Sequence, residues 1–313
     1  MGLSTNPVQL ALTFASLLAL SCVQSSTACA GTIVTDAGGR RIEITDASKI
    51  LSIGGDITEI LYALGLQSRI VAIDSTSQFP PEALQQKPNV GYMRALSTEG
   101  VLSAGASLIL ASERAGPVEV VKALKQAAAA YVEVQDGLNA EGVIGKVRFV
   151  AGAVGSAGDG EMLATRLEGE FKALADHRAA IKRKLRVLFV LNVQNGRATI
   201  GGAETSADAI LKLAGADNAA AAVTGFKPVV DEALVELQPD AVVTMRRSSG
   251  QHDTEQVMRM RGMQATPAGT SGRIVTMDGL YLLGFGPRTA TAALELMRTL
   301  YPELGLAPSG PVQ

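Results

Sequence analysis

The feature that most constrains the fold is an alternation of short apolar runs and helical stretches that occurs twice along the chain. In the first half, the runs 50–53 and 70–73 lie on either side of the helical stretch 56–64. Apolar runs this short predict buried strands, and strands that alternate with helices predict a parallel sheet flanked by helices. After residue 185 the same alternation predicts strands at 186–191, 241–245 and 274–277, and helices at 206–213, 231–237, 254–261 and 287–300.

The segment 139–184 between these halves contains no proline and almost no strand signal. Its helical periodicity predicts one long helix, or two nearly continuous helices. A length of 313 residues also favours two domains. The predicted class is α/β, with two lobes that each contain a central, mostly parallel sheet flanked by helices. The N-terminal lobe is predicted at 31–138, the linking helix at 139–184 and the C-terminal lobe at 185–313, with a ligand cleft between the lobes.

The first thirty residues contain no charged side chain, and an apolar run, 8–20, precedes Ala28-Cys29-Ala30. This pattern predicts a signal peptide at 1–30 and export of the chain. Cleavage before Cys22 is the alternative, and it would give a lipid-anchored protein. A chain cut after Ala30 has no cysteine, which excludes disulfides and thiolate metal sites.

Composition and motifs exclude several functions. The formal charge of −2 provides no basic field for nucleic acid. The sequence lacks a dinucleotide fingerprint, a P-loop and a G-x-S-x-G motif. Its two histidines, His177 in a charged helical run and His252 in a polar loop, are too few for a multi-histidine metal site. A binding protein without enzymatic activity is therefore expected, with an exported α/β hydrolase as a remote alternative.

A tyrosine and an arginine stand two residues apart in an irregular stretch, Val90 to Ser97, just before a predicted helix. In an extended backbone Tyr92 and Arg94 project to the same side. A neighbouring guanidinium favours the anionic form of a phenol, and a phenolate is a known protein ligand of ferric haem iron. A surface tyrosine packed beside an arginine is the alternative interpretation.

The sequence resembles the haem-binding periplasmic components of bacterial ABC-type hemin importers, a branch of the helix-linked binding proteins that also serve cobalamin and iron siderophores. The blocks that carry the resemblance cover the whole mature chain in order: GGDITEILYALG (54–65), RIVAIDSTSQFPPEA (69–83), NVGYMRALSTEGVLS (89–103), ETSADAILKLAGADNA (204–219), GFKPVVDEALVELQPDAVV (225–243) and DGLYLLGFGPRTATAALEL (278–296). GYMRALS and LLGFGPR are the blocks typical of the haem branch.

The resemblance implies a ligand and the residues that bind it. Tyr92 would be the axial ligand of ferric haem iron, and Arg94 would bind a propionate or hold the phenolate. Arg288, from the opposite lobe, would contact the phenolate or a propionate across the cleft. Met93 and Phe285, with Leu283, would line the porphyrin faces, although core packing is equally compatible with each. A siderophore or cobalamin is the alternative ligand.

The resemblance also implies partners and a location. The protein would be a periplasmic monomer that delivers haem to an inner-membrane ABC permease, downstream of an outer-membrane haem uptake system. Glu119 and Glu232 would dock into the permease, although an acid at a helix start is also favoured by the helix dipole. Some relatives supply a histidine just before the T-x-A-D block, but residues 193–208 contain none. Five-coordinate iron bound by Tyr92 alone is therefore predicted.

Overall fold

The structure is a computed structural model, and it describes residues 31–127, 130–246 and 254–307. The predicted signal peptide, both cysteines and His252 lie outside these residues. Twelve strands are found in the described chain: β1 (Thr32–Thr35), β2 (Arg41–Ile44), β3 (Ile50–Ile53), β4 (Ile70–Ile73), β5 (Leu108–Ser112), β6 (Tyr131–Val134), β7 (Arg186–Gln194), β8 (Arg197–Gly201), β9 (Asp217–Asn218), β10 (Phe226–Val229), β11 (Ala241–Arg246) and β12 (Ile274–Asp278).

Thirteen α-helices accompany these strands in the same residues, together with two short 3₁₀ turns. The helices are α1 (Gly55–Ala63), α2 (Glu82–Gln86), α3 (Thr98–Leu102), α4 (Val118–Ala127), α5 (Ala140–Ala153), α6 (Ala157–Ala179), α7 (Ser206–Leu213), α8 (Asp231–Leu237), α9 (Thr254–Arg259), α10 (Arg261–Gln264), α11 (Pro267–Ser271), α12 (Gly279–Leu283) and α13 (Thr289–Leu300). None of the helices described is long and apolar enough to cross a membrane.

The N-terminal lobe contains a four-stranded sheet in the order β4-β3-β5-β6. Every pairing in this sheet is parallel, as predicted. All residues of β3 and β5 are buried, which explains why these strands appear in the sequence as continuous apolar runs. The parallel arrangement brings the carboxyl ends of all four strands to one edge of the sheet. A separate antiparallel hairpin, β1-β2, precedes it.

The C-terminal lobe contains a six-stranded mixed sheet in the order β10-β8-β7-β11-β12, with β9 paired to one end of β7. The pairings of β7 with β11 and of β11 with β12 are parallel, as expected from the alternation of strands and helices. Strands β8 and β10 pair antiparallel and were not predicted. The α/β class with a central, mostly parallel sheet in each lobe is confirmed.

The linking segment consists of two helices, α5 and α6, which pack against each other. Asn139 caps α5 by accepting a hydrogen bond from the Gly142 amide at 2.7 Å. A Cβ atom on Gly160 would lie 2.3 Å from the Ala151 Cβ, so this close helix crossing requires glycine. Helix α5 contacts α1, whereas α6 contacts α13 and α7. The segment thus connects the lobes, while the boundaries at residues 138 and 184 stay predictions.

The largest hydrophobic core runs through the helical side of the molecule and includes residues from both lobes. Ile57 of α1, Val147 of α5, Leu167 of α6 and Leu296 of α13 belong to it, and all four are fully buried. Two smaller cores lie on the other faces of the sheets. Because separation of the lobes would expose the shared core, we expect only small motions of one lobe against the other.

Removal of the Tyr301 hydroxyl should lower the stability of the protein. The buried Tyr301 hydroxyl donates to the Gly215 carbonyl at 2.9 Å and accepts from the Leu185 amide at 3.0 Å. Tyr301→Phe leaves both backbone groups without a partner and should lower the free energy of unfolding by about 2 kcal/mol in a urea titration. Tyr62→Phe is the control, because the Tyr62 hydroxyl is buried without a protein partner. Equal losses in the two variants would contradict the assignment.

Candidate functional site

A cleft of about 510 Å³ lies between the two sheets, where the carboxyl ends of the parallel strands face it. This is the position at which open α/β sheets bind ligands. Each strand of the N-terminal sheet is followed by a residue that lines the cleft, and these residues are Gly55, Thr76, Arg114 and Asp136. The volume is within the range of small-molecule sites, roughly 300–1,000 Å³.

Tyr92 lies on this cleft and is held by its backbone, while its side chain is 47% exposed. The Gly91 carbonyl accepts from the Ser75 amide at 2.9 Å, and the Tyr92 carbonyl accepts from the Ala95 amide at 2.8 Å. Gly91 has φ +96°, a conformation that favours glycine. The loop is therefore fixed on both sides of Tyr92. The Tyr92 hydroxyl has no hydrogen-bond partner among the described residues and is available to a ligand.

Two arginines of the N-terminal lobe share the wall with Tyr92. Arg94 is exposed, and Arg114 forms an ion pair with Asp136. Burial lowers the pKa of the Arg114 guanidinium, and the nearby charge of Arg94 lowers it further. The two guanidinium groups thus repel each other, and an anion placed between them would relieve this repulsion.

The wall formed by the C-terminal lobe is mainly apolar. Its large apolar side chains come from β7, β10, β11 and α12, and they are Leu191, Phe226, Met245, Leu280 and Leu283. Arg246, the last residue of β11, adds one positive charge to this wall. The cleft therefore presents a charged wall and an apolar wall to the same ligand.

A buried ionic cluster lies beneath the charged wall. The Lys146 ammonium, whose side chain is 1% exposed, pairs with Asp56 and lies 3.0 Å from an Asp136 oxygen. It also lies 3.4 Å from the Phe285 carbonyl of the C-terminal lobe. A buried ammonium is tolerated when it is paired and hydrogen-bonded in this way. Lys146 therefore connects the charged wall to the other lobe.

Arg288 does not occupy the position predicted from the sequence. Its guanidinium donates to Glu59 of α1 at 2.8 Å, and its backbone amide donates to the same carboxylate at 3.0 Å. The guanidinium carbon lies 3.5 Å from the ring centroid of Phe79, within cation–π range. This pairing holds Arg288 where the two lobes meet, and it is not among the residues that line the cleft. Its role as a ligand contact stays a prediction.

The two other residues predicted to line the porphyrin differ in position. Met93 lies on the cleft wall, with its sulfur 3.9 Å from the Thr76 hydroxyl oxygen. Phe285 is 1% exposed and belongs to the shared core. Its burial favours the alternative interpretation, core packing, while a contact with the ligand stays a prediction. Leu283, from the same block, does line the cleft.

The two predicted docking acids are exposed at helix starts. Glu119 is in the first turn of α4 and Glu232 is in the first turn of α8. Within the part of the chain described by the structure, neither has an ion-pair partner. Both are free to meet a positively charged partner surface, and both also satisfy the helix dipole.

No group of three or more histidine, cysteine, aspartate or glutamate side chains that could hold a metal ion occurs within 31–127, 130–246 and 254–307. His177 lies in the last turn of α6, away from the residues that line the cleft.

The sequence analysis missed Arg114, Asp136, Lys146 and Arg246. Three of these residues had a usable signal, because Arg114 and Asp136 follow strands β5 and β6 by two residues and Arg246 is the last residue of β11. Charged residues at the carboxyl ends of parallel strands are candidates for a ligand site. Lys146 had no such signal, since it is in the middle of a helix and its partners are distant in sequence.

The fold and the cleft define a class of protein: two α/β lobes, linked by helices, with a ligand site between their sheets. The family comparison agrees, because residues 50–281 match the model described as "Periplasmic binding protein". The chain belongs to this family of binding proteins.

Three similar proteins narrow the comparison. One is the periplasmic heme-binding protein RhuT from Roseiflexus sp. RS-1, whose structure was solved in apo form. Its sequence is 35% identical to this chain, the match covers 83% of this chain and 100% of the RhuT chain, and the TM-score is 0.77. The ABC transporter substrate-binding lipoprotein YvrC of Bacillus subtilis is 27% identical over 86% of this chain and 85% of its own. The vitamin B12-binding protein of Pectobacterium atrosepticum is 25% identical, over 83% of this chain and 91% of its own length.

The Glu59–Arg288 pair should make stability depend on pH in a defined way. Burial raises the pKa of the Glu59 carboxyl, and Arg288 opposes this rise. In Arg288→Ala the folded-state pKa of Glu59 rises further above its unfolded value. The stability lost relative to wild type should therefore be small at pH 4.5 and grow to about 3 kcal/mol at pH 7.5, measured by urea unfolding.

A double variant provides the control for this prediction. The double variant Glu59→Gln with Arg288→Ala lacks the titrating carboxyl. Its loss of unfolding free energy relative to wild type should therefore be nearly the same at both pH values. A deficit in Arg288→Ala that does not change with pH would show that the lost ion pair is not its cause.

Proposed function

We propose that this protein binds one haem in the cleft between its lobes and delivers it to an ABC permease. The observation that carries the proposal is the position of Tyr92, a half-exposed phenol with a free hydroxyl beside Arg94 on a wall that faces an apolar one. A phenolate oxygen suits ferric iron, the guanidinium groups suit propionates, and the apolar wall suits the porphyrin face. The similarity to RhuT supports the same ligand.

The iron would have Tyr92 as its protein ligand. Among the described cleft residues the C-terminal wall has no histidine, which supports the predicted five-coordinate iron. A stoichiometry of one haem fits the same feature, since the described residues that line the cleft include one phenol and no histidine. We infer that the chain has no catalytic activity, in keeping with a family of binding proteins.

A cobalamin or a ferric siderophore is the second candidate ligand. The similarity to the Pectobacterium vitamin B12-binding protein favours it. Siderophores bind mainly through arginines and aromatic rings without a protein ligand to the metal, so they would make little use of the Tyr92 oxygen. Tyr92 thus separates the two candidates.

The location and partners follow from the family and the N-terminal sequence. The segment 1–30 would direct export to the periplasm, and cleavage before Cys22 would instead anchor the protein by a lipid. The similarity to the lipoprotein YvrC keeps this alternative open. The protein would act as a monomer between an outer-membrane haem uptake system and the permease, with Glu119 and Glu232 as docking groups.

A hemin titration tests the proposed ligand. The mature protein should give a Soret band that saturates at one equivalent of hemin. Tyr92→Phe should lose the spectrum of phenolate-bound iron and bind hemin at least about tenfold more weakly, because it keeps the ring and removes the coordinating oxygen. Tyr62→Phe is the matched control and should titrate like wild type.

Two outcomes would contradict the haem assignment. One is a Tyr92→Phe spectrum and affinity equal to those of wild type. The other is saturable binding of cyanocobalamin or a ferric siderophore by a protein on which hemin gives only the spectrum of adsorbed pigment.

The docking role is tested separately from ligand binding. Glu119→Lys combined with Glu232→Lys should leave the hemin titration unchanged, because both side chains are exposed and neither lines the cleft. Permease-dependent haem uptake should fall at least about tenfold, because two attractive contacts become repulsive. Glu255→Lys, at an exposed glutamate of α9, controls for the reversal of one surface charge away from the predicted docking groups. Unchanged uptake in the double variant would rule out the docking role.

A further inference from the structure

We propose that Arg114 is the second carboxylate-binding side chain of the cleft, and that Asp136 and Lys146 position its guanidinium. The inference rests on the proposed function and identifies which part of the ligand this wall recognises. It concerns the acidic edge of a porphyrin, where two propionates project from neighbouring positions. Two guanidinium groups on one wall suit such an edge, because each can bind a carboxylate through paired N–H donors.

Arg288 was predicted as a propionate contact but is held away from the cleft, so a second arginine for the propionates has to be sought. Its guanidinium and its backbone amide are both bound to Glu59, so it does not reach the cleft. Arg94 is the one predicted arginine that remains at the wall. Arg114 lines the same wall, and two backbone hydrogen bonds, from the Gly116 amide to Met93 and from the Leu96 amide to Gly116, hold its segment beside that of Arg94. The two arginines are therefore placed to bind the two propionates.

Arg114 is held in place while most of its hydrogen-bonding capacity stays unused. One terminal nitrogen is paired with Asp136, and no other acceptor for the guanidinium is found among the described residues. A guanidinium has five N–H donors, so one side can bind Asp136 while another binds a carboxylate. The side chain is 38% exposed, which leaves it accessible from the cleft.

Asp136 is fixed from three directions. One carboxylate oxygen lies 3.0 Å from the buried Lys146 ammonium, the other is paired with Arg114, and the backbone amide donates to Glu113 at 2.9 Å. The Lys146 ammonium is in turn bound to Asp56. The chain Lys146–Asp136–Arg114 therefore pre-organises the guanidinium before a ligand arrives, which lowers the entropy cost of binding.

The balance of charge on the cleft lining agrees with an anionic ligand. The charged side chains that line the cleft are Arg94, Arg114, Arg246, Asp56 and Asp136. Three cations therefore accompany two carboxylates, and the positive charge is in excess. The propionates of a haem would meet this excess.

The test compares hemin with hemin dimethyl ester, in which both carboxylates are blocked. Arg114→Gln should weaken the binding of hemin by about tenfold or more and leave the affinity for the ester unchanged. Asp136→Asn should show a smaller loss that is again selective for hemin. A merely structural role would weaken both ligands equally. Arg246→Gln, at the arginine of the opposite wall, is measured in parallel.

Each outcome either supports the inference or overturns it. Equal losses for hemin and the ester in Arg114→Gln would overturn it, as would no loss at all. A hemin-selective loss in Arg246→Gln alone would assign the role to the other lobe. None of these results would change the spectrum that depends on Tyr92, so they would contradict this inference without contradicting the proposed function. A wild-type protein that fails to bind hemin would overturn both.

Discussion

The two lobes are held in position by buried polar contacts that we call the seam, the Glu59–Arg288 pair and the contact of Lys146 with Phe285. These contacts determine how the two walls of the cleft face each other. Glu59 of α1 binds Arg288 through both its guanidinium and its backbone amide, and Lys146 contacts the Phe285 carbonyl from the other side. Burial of charge is costly unless partners have defined positions, so such contacts disfavour alternative arrangements of the two lobes. The seam joins α1, whose first turn lines the cleft, to the segment that follows α12, which lines the opposite wall.

A cleft of fixed width with unlike walls selects for an amphipathic ligand. The charged groups are concentrated on the N-terminal wall and the large apolar side chains on the C-terminal wall, so a flat ligand with one acidic edge has one favoured orientation. Burial of the apolar faces of such a ligand would supply binding energy roughly in proportion to area, while in the proposed function the arginines and Tyr92 would determine its orientation. The division of the walls follows from the topology, because each sheet contributes its own strand ends.

The parts of this structure that the sequence predicts are those with local signals. The parallel strands β3 and β4 are short apolar runs, and the helix between them was predicted from its own helical pattern. Strand β10 was missed because three of its four residues are exposed and one is Pro228, which is tolerated there because β10 is at the edge of the sheet.

In the site, too, the residues with local sequence signals could be predicted, and those with long-range contacts could not. Tyr92 and Arg94 form a local motif, and the structure places both on the cleft. Arg288 also lies in a recognisable block, but its partner Glu59 is 229 residues away in sequence, and no local pattern indicates that pairing. Arg114 and Lys146 depend on similar long-range contacts. Position at a strand end indicates which residues can reach the cleft, whereas only the packed structure shows which of them are already paired.

The loop that carries Tyr92 is bonded to the segment that leads into α4, and this connection bears on release of the ligand. The Gly116 amide donates to the Met93 carbonyl at 2.8 Å, and the Leu96 amide donates to the Gly116 carbonyl at 3.0 Å. Arg114 lies two residues before Gly116, and Glu119 lies three residues after it. A displacement of α4 would therefore act on the Tyr92 loop and on Arg114 together. Because the lobes share a core on the helical side, such a local displacement would cost less free energy than separation of the lobes.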